Sequence, residues 1–242
     1  MRDRSEKKKI NKKFVLSMLI ILVLIPLTIY FCWKYTDRKY YIASILIIIY
    51  TLAAFFTSFE NKKPQARELV IIAVLCAIAV ASRTAFIMLD HVKPMLAFVI
   101  IAGISFGAQA GFLTGAVSGF VSNFFFGQGP WTPWQMFAFG IAGFIAGILY
   151  SKGSLKQNKF QLAVFGFFTV FIIVGPLLDT CALFTMSSQI SASSAAAIYI
   201  SGIPVNLIHA ATVALTLYFV SKPMFEKLER IKLKYGILEN HF

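Results

Sequence analysis

Acidic residues are scarce in this chain. Its 242 residues include 10 Asp and Glu against 23 Lys and Arg, and only 14% of them are charged while 58% are hydrophobic. A soluble domain needs a polar face on each helix and more charged surface, so the composition excludes an ordinary soluble protein and predicts a polytopic integral membrane protein. Membrane topology accounts for the net charge of +13, and we predict no nucleic-acid partner.

Motifs that mark enzymes and cofactor sites are also missing. The sequence contains no GxSxG, no HExxH, no GxxxxGK[ST] phosphate loop and no close pair of carboxylates. Cys32, Cys76 and Cys181 are far apart without CxxC spacing, so we predict packing roles for them and no metal or cofactor site. The chain is therefore expected not to be an enzyme, and active transport by it would depend on ATP hydrolysed by another protein.

Apolar runs predict the membrane topology. They cover residues 14–33, 40–59, 69–89, 95–126, 134–150, 160–178 and 196–220. At about 1.5 Å per residue the 95–126 run would form a helix of roughly 48 Å, so two short helices hinged near residues 107–111 fit the ~30 Å hydrocarbon core better. Eight spans with both termini inside place 18 of the 23 basic residues in the cytoplasm, in agreement with the positive-inside rule.

A basic segment around Pro64 divides the chain into unequal parts. Residues 1–60 are predicted to form a basic cytoplasmic tail and two lipid-facing transmembrane helices. Residues 61–222 are predicted to form a six-helix core rich in Gly, Ala and Ser, and residues 223–242 a basic cytoplasmic tail. The predicted fold class is all-α, a polytopic helical bundle in contact with membrane lipid.

Small residues recur at helical spacing in two places. Glycine occupies every fourth position from 103 to 119, and alanine occupies positions 73, 77 and 81. Such stripes allow helices to approach closely in a bilayer. The alanine stripe fits either packing within the bundle or docking onto helices of a partner subunit.

The alanine stripe, the six-helix layout and the loop GPWTPWQ at residues 129–135 together resemble the S components of energy-coupling factor (ECF) vitamin transporters. The resemblance covers about residues 66–222, and the two leading helices depart from the common six-helix pattern. It implies that Ala73, Ala77 and Ala81 dock on a transmembrane coupling subunit that works with two cytoplasmic ATPases. It also implies a multi-pass location in a prokaryotic plasma membrane, capture of a vitamin outside, and delivery to the cytoplasm by ATP hydrolysis in the partners.

The substrate is predicted from the same loop, which resembles the cobalamin-type branch of that family. This favours cobalamin or a related corrinoid, while queuosine precursors, riboflavin, thiamine precursors and folate stay open. One alternative function is a stand-alone secondary carrier or channel in which Arg83 and Asp179 form a coupling pair. A second is an intramembrane enzyme or assembly factor, for which the sequence offers no catalytic residues.

Candidate ligand-binding residues collect towards the predicted outer face, where aromatic rings and amides suit flat heteroaromatic molecules or the corrin and nucleotide parts of cobalamin. They are Arg83, Asn123, Phe126, Gln128, Trp131, Trp134, Asp179 and Asn206. Arg83 lies within a span and needs a partner. Asp90 or Asp179 is the predicted partner if Arg83 does not contact the substrate.

Neighbouring residues are predicted to have structural roles. Thr132 and Gln135 fit a capping box with Pro133 at the first helical position, so Gln135 is expected to cap a helix. His91 and Lys93 are predicted to be solvated loop residues at the mouth of the site.

The last two spans carry prolines beside polar side chains. Pro176 and Pro204 are expected to break their helices, and His209 is expected to satisfy freed backbone groups or to bond across helices. The uncharged stretch 187–197 is predicted to form a mobile outer gate.

Overall fold

The structure is a computed structural model that describes residues 19–35, 46, 50, 66–186 and 191–235. Within those ranges every regular element is a helix, which agrees with the predicted all-α class. Most of the predicted 40–59 span, the 60–65 segment, the N-terminal tail and the end of the C-terminal tail lie outside the described residues.

The helices are α1 (Ile25–Tyr35, after a π-helical turn at Ile20–Leu24), α2 (Ala66–Ala85), α3 (Met95–Phe106), α4 (Ala108–Phe126), α5 (Thr132–Ser151), α6 (Lys159–Phe168), α7 (Gly175–Met186) and α8 (Ala192–Tyr235). From α2 to α7 they follow one another with short connections. A π-helical segment, Thr169–Val174, joins α6 to α7 without a break.

Several of these helices are apolar enough to belong to a membrane bundle. By length and composition, three stretches of the described residues qualify as spans, namely Thr132–Ser151, Lys159–Met186 and Ala192–Lys234. Shorter apolar helices cover Leu22–Phe31, Leu69–Ala85 and Met95–Phe106.

The predicted hinge in the long glycine-rich run is confirmed. Helix α3 ends at Phe106, α4 begins at Ala108, and Gly107 between them has a φ of 91°, in the left-handed region that favours glycine. The two helices contain 12 and 19 residues, which corresponds to lengths of about 18 and 28 Å. Helix α3 is the buried centre of the bundle and packs against α2, α4, α5 and α8.

Glycines bring the backbones of α3, α4 and α5 into direct contact. A Cβ atom added at Gly111 would lie 2.5 Å from the carbonyl oxygen of Gly143 and 2.6 Å from the Cα of Gly103. A Cβ at Gly115 would lie 2.3 Å from the carbonyl oxygen of Phe139. The glycine stripe therefore serves packing within the bundle, and it determines how closely α4 and α5 approach.

Two predicted helix breaks are wrong. Helix α8 continues through Pro204 for 44 residues, and Pro176 lies within the first turn of α7. A proline lacks the N–H of a normal helical turn, and the π-helical segment just before α7 accommodates that change in register. The helix α8 also begins at Ala192, so the second half of the predicted 187–197 gate is helical, while residues 187–190 lie outside the described ranges.

Helix α8 extends past the predicted end of the core at residue 222. Its last part carries Phe225 and Leu228, both 5% exposed and packed in the main core cluster. The Lys232 Nζ donates a hydrogen bond to the carbonyl oxygen of Ser105 at the end of α3 and lies 4.8 Å from the ring centre of Phe106. At least the described part of the predicted C-terminal tail thus packs against the bundle as helix.

Helix α1 belongs partly to the bundle. Ile25 and Ile29 are buried in one cluster with Phe112, Phe137 and Phe144 of α4 and α5. Other apolar side chains of α1, including Leu27 at 59% exposed, point away from the protein. This first helix was predicted to face lipid, and one side of it packs on the core instead.

Candidate functional site

A cavity lies between the end of α2, the α2–α3 turn, the first turns of α5 and α7, and the first half of α8. Its volume is about 190 Å³. Among the described residues its walls combine basic, amide and apolar side chains and include no carboxylate. The lining residues are Arg83, His91, Lys93, Met95, Gln135, Phe139, Leu178, Val205 and His209.

Arg83 is the most deeply placed cation of this cavity, with 8% of its surface exposed. Its Nη1 donates hydrogen bonds to the Oγ of Ser122 and to the Oδ1 of Asn123, the latter at 3.1 Å. The guanidinium carbon lies 4.4 Å from the ring centre of Phe126 and 5.6 Å from that of Phe139, within the range of cation–π attraction.

The predicted ion pair of Arg83 is wrong for both candidates. Neither Asp90 nor Asp179 forms a salt bridge with it among the described residues, and Asp179 instead accepts a hydrogen bond of 2.8 Å from the Nδ2 of Asn206. Neutral oxygens and aromatic faces hold the guanidinium, so its positive charge is not cancelled by a neighbouring carboxylate. Because a guanidinium has five N–H donors, three remain beyond the two bonds made by Nη1.

A hydrogen-bonded network in the α4–α5 turn positions Asn123. Its Nδ2 donates to the Oγ1 of Thr132 at 3.0 Å, and the Thr132 hydroxyl donates to the Oε1 of Gln128 at 2.9 Å. The Gln128 Nε2 donates to the carbonyl oxygen of Phe120 at 3.0 Å. The Asn123 amide is thereby oriented with its oxygen towards Arg83, and Gln128 supports the turn without lining the cavity.

The predicted capping box at the start of α5 is wrong. Trp131 is the residue before the helix and makes no capping bond with its side chain, while Pro133 lies in the first turn as predicted. The Thr132 hydroxyl is already committed to Gln128 and Asn123, so it does not cap the helix. Gln135 lines the cavity, and its Oε1 is buried without a hydrogen-bond partner.

The α2–α3 turn contributes Lys93 and His91, which were predicted to be solvated. The Lys93 Nζ donates to the carbonyl oxygens of Phe86 at 2.9 Å and Leu89 at 3.1 Å, and it lies 5.1 Å from the ring centre of Phe126. Partial burial and the nearby charge of Arg83 lower the pKa of Lys93 from its ordinary value, while Asp90 acts in the opposite direction. His91 has a positive φ of 64°, an uncommon conformation for a residue with a side chain.

Several predicted binding residues lie beside the cavity and not on its wall. Trp134 is 4% exposed and packs on Phe184 at 5.5 Å between ring centres. Trp131 donates from Nε1 to the carbonyl oxygen of Gly127 and is 40% exposed. Asp179 and Asn206 bond to each other next to the lining residues Leu178 and Val205, and their contact with a ligand stays a prediction.

Most of the apolar wall has no signal in the sequence, and the polar residues Gln135 and His209 line the cavity although the sequence predicts structural roles for them. Met95, Phe139, Leu178 and Val205 are ordinary apolar positions of helices, and no local signal separates them from core residues. Gln135 and His209 stood out by polarity, but their position in a turn and beside a proline favoured structural roles. Only the packing of α2, α5 and α8 around one space brings them together.

The alanine stripe of α2 lies on the outside of the chain. Ala73, Ala77 and Ala81 are exposed, whereas Leu75 and Ala79 between them are buried. Packing within this chain therefore does not explain the stripe in the described structure. Docking onto another protein stays a prediction, now supported by the exposure of all three alanines.

Comparison with known proteins identifies the family. A family model described as "ECF-type riboflavin transporter, S component" matches residues 63–225, which is more than half of the chain. The chain belongs to this family of S components. The match begins and ends close to the predicted six-helix core, and the family consists of substrate-binding membrane subunits of transporters, which are not enzymes.

A curated relative gives weaker support. A UPF0397 protein of Vibrio atlanticus (strain LGP32) is 31% identical over 85 residues, which cover 34% of this chain and 46% of that protein. The matching residues thus span less than half of the relative's length. No solved structure matches this S component significantly.

Proposed function

We propose that this S component captures a vitamin-type micronutrient at the outer face of the cell membrane and delivers it to the cytoplasm with the energy of ATP hydrolysed by partner subunits. The family match supports the role of substrate-binding subunit. The observation that carries the proposal is the cavity beside the GPWTPWQ loop, whose wall holds Arg83, Lys93 and Gln135 and no carboxylate of the described residues.

The chemistry of the cavity favours a group rich in hydrogen-bond acceptors. Arg83 retains unused N–H groups, Lys93 has a third N–H beyond its two bonds, and both lie over the face of Phe126. The volume of about 190 Å³ is below the ~300–1,000 Å³ typical of complete small-molecule sites. The cavity therefore accepts one part of a vitamin, such as an amide arm or the polar edge of a ring.

The remainder of a larger ligand would lie across the mouth, where apolar surface is exposed. Phe86, Met88 and Trp131 are 38%, 92% and 40% exposed around the α2–α3 and α4–α5 turns. A corrinoid offers both parts, because its flat macrocycle carries several amide arms. Cobalamin is our first candidate, on the resemblance of the loop at residues 129–135 to the cobalamin-type branch.

Riboflavin is the second candidate, and the description of the matching family favours it. One edge of its ring system carries an N–H between two carbonyl groups, so it presents the same kind of donor and acceptor as a corrinoid amide. The two vitamins differ greatly in size and share this chemistry. A direct comparison of their affinities for the same protein decides between them.

The proposal is tested by binding of cyanocobalamin, riboflavin, thiamine and folate to the detergent-purified chain, measured by calorimetry. We expect one of them to bind tightly at a ratio of one to one. The Arg83→Met variant should bind the same vitamin more weakly, because it removes the cation and keeps an apolar stem. No binding to any vitamin of the panel would contradict the proposal.

The partners are a transmembrane coupling subunit and two cytoplasmic ATPases. The exposed stripe Ala73, Ala77 and Ala81 is the proposed contact with the coupling subunit, since small residues let helices of different chains approach closely. Co-purification of the coupling subunits with the tagged chain and dependence of uptake on ATP are the expected results. Vitamin uptake by this chain alone, without ATP, would favour the secondary carrier instead.

A further inference from the structure

Gln135 is the one cavity-lining side chain with a buried acceptor that no donor reaches within the described structure. Its Oε1 has no hydrogen-bond partner, although the side chain lies at the cavity wall in the first turns of α5. A buried polar atom left unpaired destabilises the protein, so such atoms are rare unless a ligand or water satisfies them. A ligand that donates a hydrogen bond to this oxygen would relieve that cost.

In the described structure no donor of the neighbouring side chains bonds to the Gln135 Oε1. Arg83 bonds to Ser122 and Asn123, and Lys93 bonds to the backbone of the α2–α3 turn. The remaining polar wall is formed by His91 and His209. Arg83 and Lys93 keep N–H groups beyond these bonds, and their side chains line the same small cavity as Gln135, whose Oε1 is buried in the wall.

We infer that Gln135 and Arg83 together recognise an amide-type group of the substrate, a C=O next to an N–H, with Gln135 accepting from the N–H and Arg83 donating to the C=O. This inference rests on the proposed function and names the chemical feature by which the site selects its ligand. The terminal torsion of a glutamine is soft, so the carboxamide turns into the cavity at little cost. Gln135 is then a specificity-determining residue of this S component.

The chemistry separates this arrangement from an anion site. An anionic group alone would suit the two cations and leave the Gln135 oxygen unpaired, or place negative charge beside it. An amide or a ring imide satisfies both sides of the cavity with neutral charge. A site that pairs with a substrate N–H also rejects analogues lacking that N–H, because its own acceptor is then left buried and unpaired.

The test combines one protein variant with one ligand change. The variant Gln135→Met keeps the length and volume of the side chain and removes its amide. The ligand probes depend on which vitamin binds the wild type. If riboflavin binds, the pair is riboflavin and N3-methylriboflavin. If cyanocobalamin binds, it is compared with derivatives that are N,N-dimethylated at single amide arms. Gln157→Met is the matched control, because Gln157 bonds to Tyr150 in the exposed α5–α6 turn, away from the cavity.

Loss of the N–H should lower the affinity of the wild type about tenfold, and Gln135→Met should lower the affinity for the unmodified vitamin by a similar factor. The two changes should not add, so Gln135→Met should bind both forms of the ligand equally. Additive losses, or unchanged affinity of Gln135→Met, would overturn the inference while leaving the capture of the vitamin intact. Absence of binding to every vitamin would contradict the proposed function and this inference together.

The stability of the unliganded chain provides a second measurement. Gln135→Met removes a buried unpaired oxygen, so its melting temperature without ligand should equal or exceed that of the wild type. A clear fall in the melting temperature, together with lower affinity, would show that Gln135 has a structural partner and would overturn the inference.

Discussion

Substitution of Gly111 by alanine tests the close backbone contact of α4 with α3 and α5. The new Cβ would lie 2.5 Å from the Gly143 carbonyl oxygen and 2.6 Å from the Gly103 Cα, both backbone atoms of neighbouring helices. Ordinary van der Waals contact begins near 3.4 Å, so α4 must move away from α5 and α3 by roughly 0.9 Å. Atom pairs separated by such a gap lose about a quarter to a half of their dispersion attraction.

The free-energy cost follows from which atoms collide. Overpacking a close-packed core costs about 1–3 kcal/mol, and we expect the upper end because backbone atoms of two helices cannot rotate away as a side chain does. For a chain of this length, 3 kcal/mol corresponds to a loss of roughly 6–12 °C in melting temperature. The assay is thermal unfolding of the detergent-purified chain without ligand.

Gly119→Ala is the matched control on the same stripe of the same helix. There the nearest atom to the new Cβ is the Phe139 Cδ2 at 3.1 Å, a side-chain atom that can shift by a few tenths of an ångström. We expect this variant to melt within about 2 °C of the wild type, because a small displacement of one ring costs well under 1 kcal/mol. Equal melting temperatures for the two alanine variants would refute the backbone contact.

Three further substitutions test separate parts of the molecule. Arg83→Met should weaken vitamin binding at least tenfold by calorimetry, since it removes a charge-assisted donor from the cavity, and unchanged affinity would return Arg83 to a purely structural role. Ala77→Leu should abolish ATP-dependent uptake and spare vitamin binding, with Val164→Leu on the exposed side of α6 as the control; loss of binding as well would indicate packing within the chain. Lys232→Met should lower the melting temperature by a few degrees because the carbonyl oxygen of Ser105 loses its donor, and a smaller loss in Lys232→Arg would support that reason, whereas no loss in either would contradict it.

Part of the fold follows from local properties of the sequence, such as hydrophobicity, segment length and glycine spacing. The split of the glycine-rich run at Gly107 was predictable, because helix length is proportional to residue number and the bilayer thickness limits it. The prediction that Pro204 breaks its helix was wrong, since α8 continues through it from Ala192 to Tyr235. A proline lowers the local preference for helix, and that preference alone does not determine where a helix ends.

The site was predictable only in part. Arg83 attracted attention because a charge within an apolar span needs a reason, and the structure places it on the cavity wall. Its partners were mispredicted, since Ser122 and Asn123 are uncharged and the obvious carboxylates of the sequence lie elsewhere. The spacing of Thr132 and Gln135 predicts a capping box, but in the structure the Thr132 hydroxyl donates to Gln128 instead.

The sequence by itself determined the class of this protein, a helical membrane bundle without an enzyme motif, because hydrophobicity, charge bias and small-residue spacing are additive properties of short segments. It also carried the resemblance to S components that the family match over residues 63–225 bears out. Only the tertiary structure decided which side chains face one cavity and which alanines face outward, because these depend on how α2, α5 and α8 rotate and pack against each other. A buried oxygen without a partner, such as that of Gln135, exists only once every neighbouring donor has been placed.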